Sequence, residues 1–354
     1  MSTETPEATE TPEAAEVTET TEATEMAEIT ETTKATETTE MAETTKVAEM
    51  TEMPDTAEIA ARELFARALA AFDAALRAVP ADRHDAPTPC ASWDVRALIN
   101  HVVGEDRWAI ELLTGRTIAD VGGELDGDLL GADPLGAWSA ASTAVARAVD
   151  SAGDDDTVAL SAGPTAVADY LRELAADHLV HAWDLATAAG ANLRLDDDLV
   201  AAVTTWFASR EQIYRSYGVI GPRPPMAEDA EPQARLLAMF GRSEALAAVD
   251  RLSDAFDAKD VDAIMATMTS DCVFESTLPP DGERHVGAGA VRAAWHRFFE
   301  ASGDRYFTTE SRFAVGDRVV VQWRYDWPGG HVRGVDLFLV RGGLVAEKLA
   351  YVKG

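Results

Sequence analysis

Asp177 and His181 stand four positions apart in Glu173-Leu-Ala-Ala-Asp-His-Leu-Val-His-Ala-Trp-Asp184. On a helix that spacing sets a carboxylate and an imidazole on one face, one turn apart. His101, in Leu98-Ile-Asn-His-Val-Val-Gly104, offers a third donor from a neighbouring helix. Together the three make a workable ligand set for a divalent cation, with a fourth position left for water or a thiolate. The same spacing suits a hydrogen-bonded Asp–His pair, with His101 as a satisfied core histidine, so spacing alone leaves both readings open. His178 is turned about 100° from Asp177 around the helix and is not expected to ligate. Cys90 precedes a helix N-terminus, where a thiol pKa falls, or packs as a small residue near Trp93. Glu105, one turn beyond His101, reads as a partner behind it or as a solvated residue.

Helices must position these groups. Ile59, Leu64, Phe65, Leu69, Phe72, Leu76 and Val79 repeat with a period near 3.6, and Pro80 ends that helix. Ser92 is a plausible N-cap for a second helix reaching about Thr114. Helices are further expected at 135–151, at 166–189 ending on Gly190, and at 196–216, with a short one near Leu236. Thr157–Ser161 reads as extended. Four to five helices with short connections predict an up-down bundle. After Arg242 the pattern changes. Helices are expected at 244–268 and 288–301, then strands at 306–314, 318–327, 331–340 and 344–352, separated by glycine turns. Val319, Val321, Trp323, Tyr325 and Trp327 alternate onto one strand face. Helices followed by an antiparallel meander indicate an α+β domain whose sheet wraps over a helix.

Composition narrows the function. The 354 residues carry 30 Lys+Arg against 62 Asp+Glu, a net charge of −32. Of this, −14 falls in residues 1–56, which hold 18 Thr and 15 Glu but no Leu, Phe, Trp or Tyr. Such a segment cannot bury apolar surface and is expected to be a disordered, acidic tail. Within it Thr21–Glu28 recurs almost unchanged as Thr36–Glu43. The organisation is therefore a tail at 1–56, a bundle at 57–242 and an α+β domain at 243–354. A pI near 4.4 argues against a nucleic-acid partner. No stretch is long and apolar enough to span a membrane, and the acidic N-terminus is no secretory signal. Only Cys90 and Cys272 occur, in different domains, which fits a reducing cytoplasm.

Two stretches carry a resemblance: Thr88-Pro-Cys-Ala-Ser-Trp-Asp-Val-Arg-Ala-Leu-Ile-Asn-His-Val-Val-Gly104 and Asp177-His-Leu-Val-His-Ala-Trp-Asp-Leu-Ala186. They resemble the actinobacterial mycothiol-dependent maleylpyruvate isomerase N-terminal domain family, a group of DinB-like metal-binding four-helix bundles. The likeness runs from about Glu58 through Leu-Leu-Ala-Met-Phe-Gly-Arg242. It implies a metal held by a His on the second helix and an acid-x-x-x-His on a later one, which are His101, Asp177 and His181 here. Asp177 replaces the glutamate of the characterised isomerases, and its shorter arm would shift the metal. The implied cofactors are a divalent metal, suited to zinc by its ligands, and mycothiol as the thiol.

The C-terminal stretches around Asp-Cys272-Val-Phe-Glu-Ser-Thr, Val286–Trp295 and Arg333–Tyr351 resemble the SnoaL-like, nuclear transport factor two-like superfamily. That likeness implies an apolar pocket inside an α+β cone, with a strand-borne Asp as general acid/base. Asp336, alternating with Phe338 and Val340, matches that role or is an ion-paired Asp. Glu275 is a second pocket candidate. Trp323 and Tyr325 either line the pocket as substrate contacts or form an apolar face through which the cone makes a homodimer. The expected activity is that of a metal- and mycothiol-dependent transferase or isomerase on a small electrophile. The expectation that competes with it is a small-molecule-binding protein that uses the cone, with a structural metal in the bundle.

Overall fold

The computed structural model describes residues 59–90, 93–153, 155–161, 163–302 and 306–353. The acidic tail with its repeat, and the proposed cap Ser92, lie outside the described residues.

The helical part begins with α1 (Ala61–Ala78) and α2 (Val95–Leu113). A short α3 (Ile118–Val121) sits in the Gly/Asp-rich loop, closed by a Thr117–Asp120 capping box that the sequence reading passed over. Next come α4 (Pro134–Ser151), a small hairpin of β1 (Thr157–Leu160) and β2 (Gly163–Ala166), and α5 (Val167–Ala188). Asp94 caps α2 by accepting from the Ala97 N–H, and Asp133 caps α4 the same way through Gly136. The four long helices α1, α2, α4 and α5 enclose two apolar clusters. One contains Leu64, Phe65, Leu171 and Leu179, the other Phe72, Leu98, Val102 and Trp138. Each such side chain, fully buried, contributes roughly 1.5–3 kcal/mol. α5 is buried almost all round, so its polar residues must find partners inside the protein.

The single helix expected over 196–216 is two, α6 (Asp197–Phe207) and α7 (Glu211–Ser216). Stacking overrides the periodicity there: Phe207 lies 4.0 Å from the Phe240 ring and edge-on to Tyr214 at 5.2 Å. α8 (Pro232–Met239) then leads to the connector at 240–243.

The C-terminal part opens with α9 (Glu244–Asp257) and α10 (Val261–Ala266), again two helices where the sequence predicts one. Lys259 takes a positive φ of 55° at the break and Asp260 caps α10. Then come β3 (Met268–Glu275), β4 (Arg284–Val286), α11 (Ala288–Ser302), β5 (Tyr306–Val315), β6 (Arg318–Trp327), β7 (Gly330–Arg341) and β8 (Leu344–Val352). The sheet runs β4-β3-β8-β7-β6-β5. The meander β5 to β8 is as predicted. β3 and β4 are additions, and β3 pairs parallel with β8. The helices pack on one sheet face over Val249, Leu252, Trp295, Val321 and Phe338.

The two parts touch near the connector. Gln233 donates to Glu244 Oε1 at 2.8 Å, Asn192 donates to Gly342 O at 3.0 Å, and Gly316 N–H donates to Pro225 O at 2.8 Å. Gly343, at φ 70°, lies so close to Asn192 that a Cβ would collide with its amide. Among the described residues no helix is long and apolar enough to cross a membrane.

Candidate functional site

α2 and α5 lie side by side, and His101 from the first meets Asp177 and His181 from the second. Their ligand atoms all fall within 4.8 Å of one another. Both Nε2 atoms address one oxygen: His101 and His181 each lie 3.3 Å from Asp177 Oδ1. Asp177 Oδ2 is buried with no hydrogen-bond partner among the described residues. An orphaned carboxylate oxygen beside two imidazoles is the donor set a divalent cation takes, so the residues fit a metal. Burial alone would raise the Asp177 carboxyl, but His181 and His101 hold it well below the usual range.

Behind the triad is a support that the sequence reading did not name. His181 Nδ1 lies 3.0 Å from Asp184 Oδ2, with Asp184 wholly buried one turn further along α5. An imidazole that donates from Nδ1 to a carboxylate turns its Nε2 toward the cavity in a fixed orientation. Asp184 is itself clamped by Arg242, through Nη2 at 2.7 Å and Nε at 3.3 Å, and Arg242 also donates to Phe240 O. Burial opposes charge on His181, yet Asp177 and Asp184 raise it to about 9. Asp184 is three residues from His181, a spacing that was visible in the sequence. Arg242 lies 58 positions away, and only the fold brings it there.

His178 faces the opposite side. Its Nδ1–H donates to Leu174 O at 2.6 Å, and Nε2 lies 3.1 Å from Asp106. The pair is sealed among Phe65, Phe72 and Trp138, away from the triad.

The triad opens onto a cavity of about 370 Å³ walled by Trp93, Val180, Trp206, Phe207 and Phe240, with Cys90 at its edge. The Trp93 ring packs 4.5 Å from the His101 ring, tilted 35° to it. Glu173 also lines this cavity and accepts a 2.7 Å hydrogen bond from Tyr214 O–H. Burial raises Glu173 to about 7 despite that bond. Glu105, read from sequence as partner or solvated residue, is likewise enclosed and raised to about 7 by burial.

The cone holds a separate cavity of about 220 Å³. Asp336, Trp323 and Tyr325 all line it. Asp336 Oδ2 is 2.6 Å from Lys348 Nζ, a residue the sequence reading did not single out. The ammonium sits among the Phe274, Phe338 and Trp295 rings at 5.4, 5.6 and 5.9 Å. Gly334, paired with Trp323 across β6 and β7, leaves the space that the Trp323 ring fills. One correction follows. Glu275 is not among the lining residues; it points to the other strand face and pairs with Arg284 at 3.1 Å, because Phe274 takes the inward position. Of the two readings for Trp323 and Tyr325, the structure favours the pocket: both side chains are turned toward the helices and line the cavity, while Phe313, Leu337 and Tyr351 are exposed on the sheet.

Residues 65–186 match the family described as Mycothiol maleylpyruvate isomerase N-terminal domain, and residues 249–348 match the SnoaL-like domain. Two uncharacterized proteins of Mycobacterium tuberculosis, Rv0738 of strain H37Rv and MT0763 of strain CDC 1551, are each 33% identical over 189 residues. That alignment covers 50% of this chain and 94% of theirs. Among solved structures, an NTF2-like protein of unknown function from Mesorhizobium loti is 35% identical over 31% of this chain and 92% of its own, with a TM-score of 0.29. An NTF2-like protein of unknown function from Burkholderia xenovorans LB400 is 20% identical over 31% of this chain and 83% of its own, with a TM-score of 0.28. The chain thus belongs to the mycothiol maleylpyruvate isomerase N-terminal domain family and carries a SnoaL-like domain behind that bundle.

Proposed function

We propose that the bundle is a metal- and thiol-dependent transferase or isomerase that acts on a small electrophile in the 370 Å³ cavity. The observation that carries this reading is the convergence of His101, Asp177 and His181 within 4.8 Å at the wall of that cavity. These three residues would hold the cation, for which the His/Asp/His set suits zinc. A cation there lowers the pKa of a coordinated thiol and so supplies thiolate at neutral pH.

The remaining work falls to the chain itself. Asp184 and Arg242 fix the orientation of His181. Trp93 keeps the His101 ring in place by packing against it. The aromatic walls exclude water and give an organic substrate apolar surface. Glu173, held by Tyr214, is placed to give or take a proton near neutral pH.

The test is metal analysis of the purified chain followed by thiol consumption with mycothiol against a panel of small electrophiles. Metal-dependent turnover that is lost in His101→Ala supports the proposal. Bound metal with no thiol turnover overturns it in favour of a structural metal beside a small-molecule-binding cone.

A further inference from the structure

The cone cavity raises a question that the metal site does not answer, namely why a lysine is buried in it. The sequence uses lysine five times against 25 arginines. At the comparable buried carboxylate in the bundle, Asp184, the partner is an arginine. Arginine is the natural choice for a purely structural interior pair, because its fork bonds in two places and it sheds water more readily. Lysine differs in being able to lose its proton and become a nucleophile. Lys348 is 8% exposed and lines the 220 Å³ cavity, with its Nζ 2.6 Å from Asp336 Oδ2. Asp336 Oδ1 and the indole N–H of Trp323 are buried on the same wall without hydrogen-bond partners among the described residues. The cavity therefore offers an amine, an adjacent proton acceptor, an unused carboxylate oxygen and an unused donor, surrounded by aromatic rings.

We propose that Lys348 forms an imine with a small aromatic or alicyclic aldehyde or ketone, making the cone a second covalent site that needs no metal. The ammonium passes one proton to Asp336 Oδ2, and the freed Nζ lone pair adds to the carbonyl carbon as the C=O π bond opens onto oxygen. Trp323 N–H supplies a hydrogen bond to that oxygen. Asp336 returns its proton to the oxygen, a second proton follows from nitrogen, and water leaves as the C=N bond forms. The three ammonium protons end as two on water and one on the iminium, so the positive charge stays beside the Asp336 carboxylate. No electrons are exchanged with a cofactor.

The full-length protein is incubated with benzaldehyde and borohydride, with a chelator present, and the reduced adduct is mapped by peptide mass spectrometry. Lys348 is expected to carry the benzyl group at least ~10-fold faster than exposed Lys259 and Lys353, as a positioned acid/base partner confers. This comparison is made within one unaltered chain and does not depend on any variant folding. Lys348→Arg keeps the charge beside Asp336 and should abolish the adduct, and Asp336→Asn should slow it by at least ~10-fold. Labelling of Lys348 no faster than of the exposed lysines, or none at Lys348, overturns the proposal. An unchanged rate in Asp336→Asn removes the proton relay from it.

Discussion

Asp177 in the bundle, half-buried, and Asp336 in the cone, buried, are both carboxylates on cavity walls, and each leaves one buried oxygen without a partner among the described residues. Their counter-charges differ. Asp177 faces two imidazoles, which can give up their protons to a cation, and a second carboxylate and an arginine stand behind one of them. Asp336 faces one ammonium in a ring of aromatic faces, with no such second layer among the described residues. A metal site needs neutral nitrogen donors held in a fixed direction, so it recruits supporting hydrogen bonds from several elements. A single ion pair in an apolar cavity needs only its partner and its walls.

The contrast breaks most easily at the metal. The purified chain should hold about one divalent ion, as one three-ligand site implies. His181→Ala should lose it, and Asp336→Asn should keep it. Elemental analysis showing full metal in His181→Ala would remove the site. The next largest effect is expected at His178→Ala. There the stoichiometry of metal should stay, but Asp106 is left buried without its counter-charge, which costs about 3–5 kcal/mol. Denaturant melts that match the unaltered protein would mean Asp106 is already neutral and satisfied.

Asp184→Asn sharpens the comparison further. It keeps the shape but weakens the support of His181, and metal affinity should fall about 10–100-fold. Competition with a chromogenic chelator reads this directly, and unchanged affinity would reduce Asp184 to a packing residue.

The smallest effect is expected in the pH profile of the metal-free protein. Glu105 and Glu173 stay protonated in the folded state up to about pH 7 but ionise near 4.5 when unfolded. The native state binds more protons across that window, so stability falls as pH rises through it. His181 adds stability fully below 6.5 that is lost as pH rises through about 9. Asp184, held low by Arg242 against its burial, stabilises above 3.8 and loses that contribution as the pH falls. The melting temperature should therefore peak near pH 5 and drop by on the order of a few degrees by pH 9. Glu173→Gln should flatten the slope between 4.5 and 7. A melting temperature that rises over that range would contradict the burial of these carboxyls.

What the sequence made legible was set by local periodicity. The long helices, the four meander strands and the i,i+4 pair Asp177/His181 all repeat at short range, while His101 is visible as a mid-helix histidine that only the family resemblance ties to that pair. The breaks at Ala208–Arg210 and at Lys259 were hidden because the apolar period continues across them, while stacking on Phe240 and the Asp260 cap decide otherwise. β3 gives no strand signal of its own in the sequence, since its partner β8 lies far along the chain and runs parallel to it. Glu275 is placed on the wrong face, and the Trp323 row is left between two readings, for one reason. Alternation shows that a strand has two faces, but only the packed helices show which one is inside. Arg242 and Lys348 could not be assigned partners at all, because long-range pairing leaves no trace in spacing.

Arg242 lies one residue ahead of Ser243, the cap of α9, and the same short connector that ends the bundle starts the cone. The side chain that steadies His181 is therefore carried by the joint between two domains. Any recombination that attaches a different C-terminal domain must cut downstream of Arg242 and preserve the Gly241 turn, with its φ of 81° packed against the Gly221 backbone. Chimeras joined a few residues earlier would inherit His101, Asp177 and His181 but lose the Arg242 clamp on Asp184 that steadies His181. The usable crossover point in this architecture is thus narrower than its domain boundary.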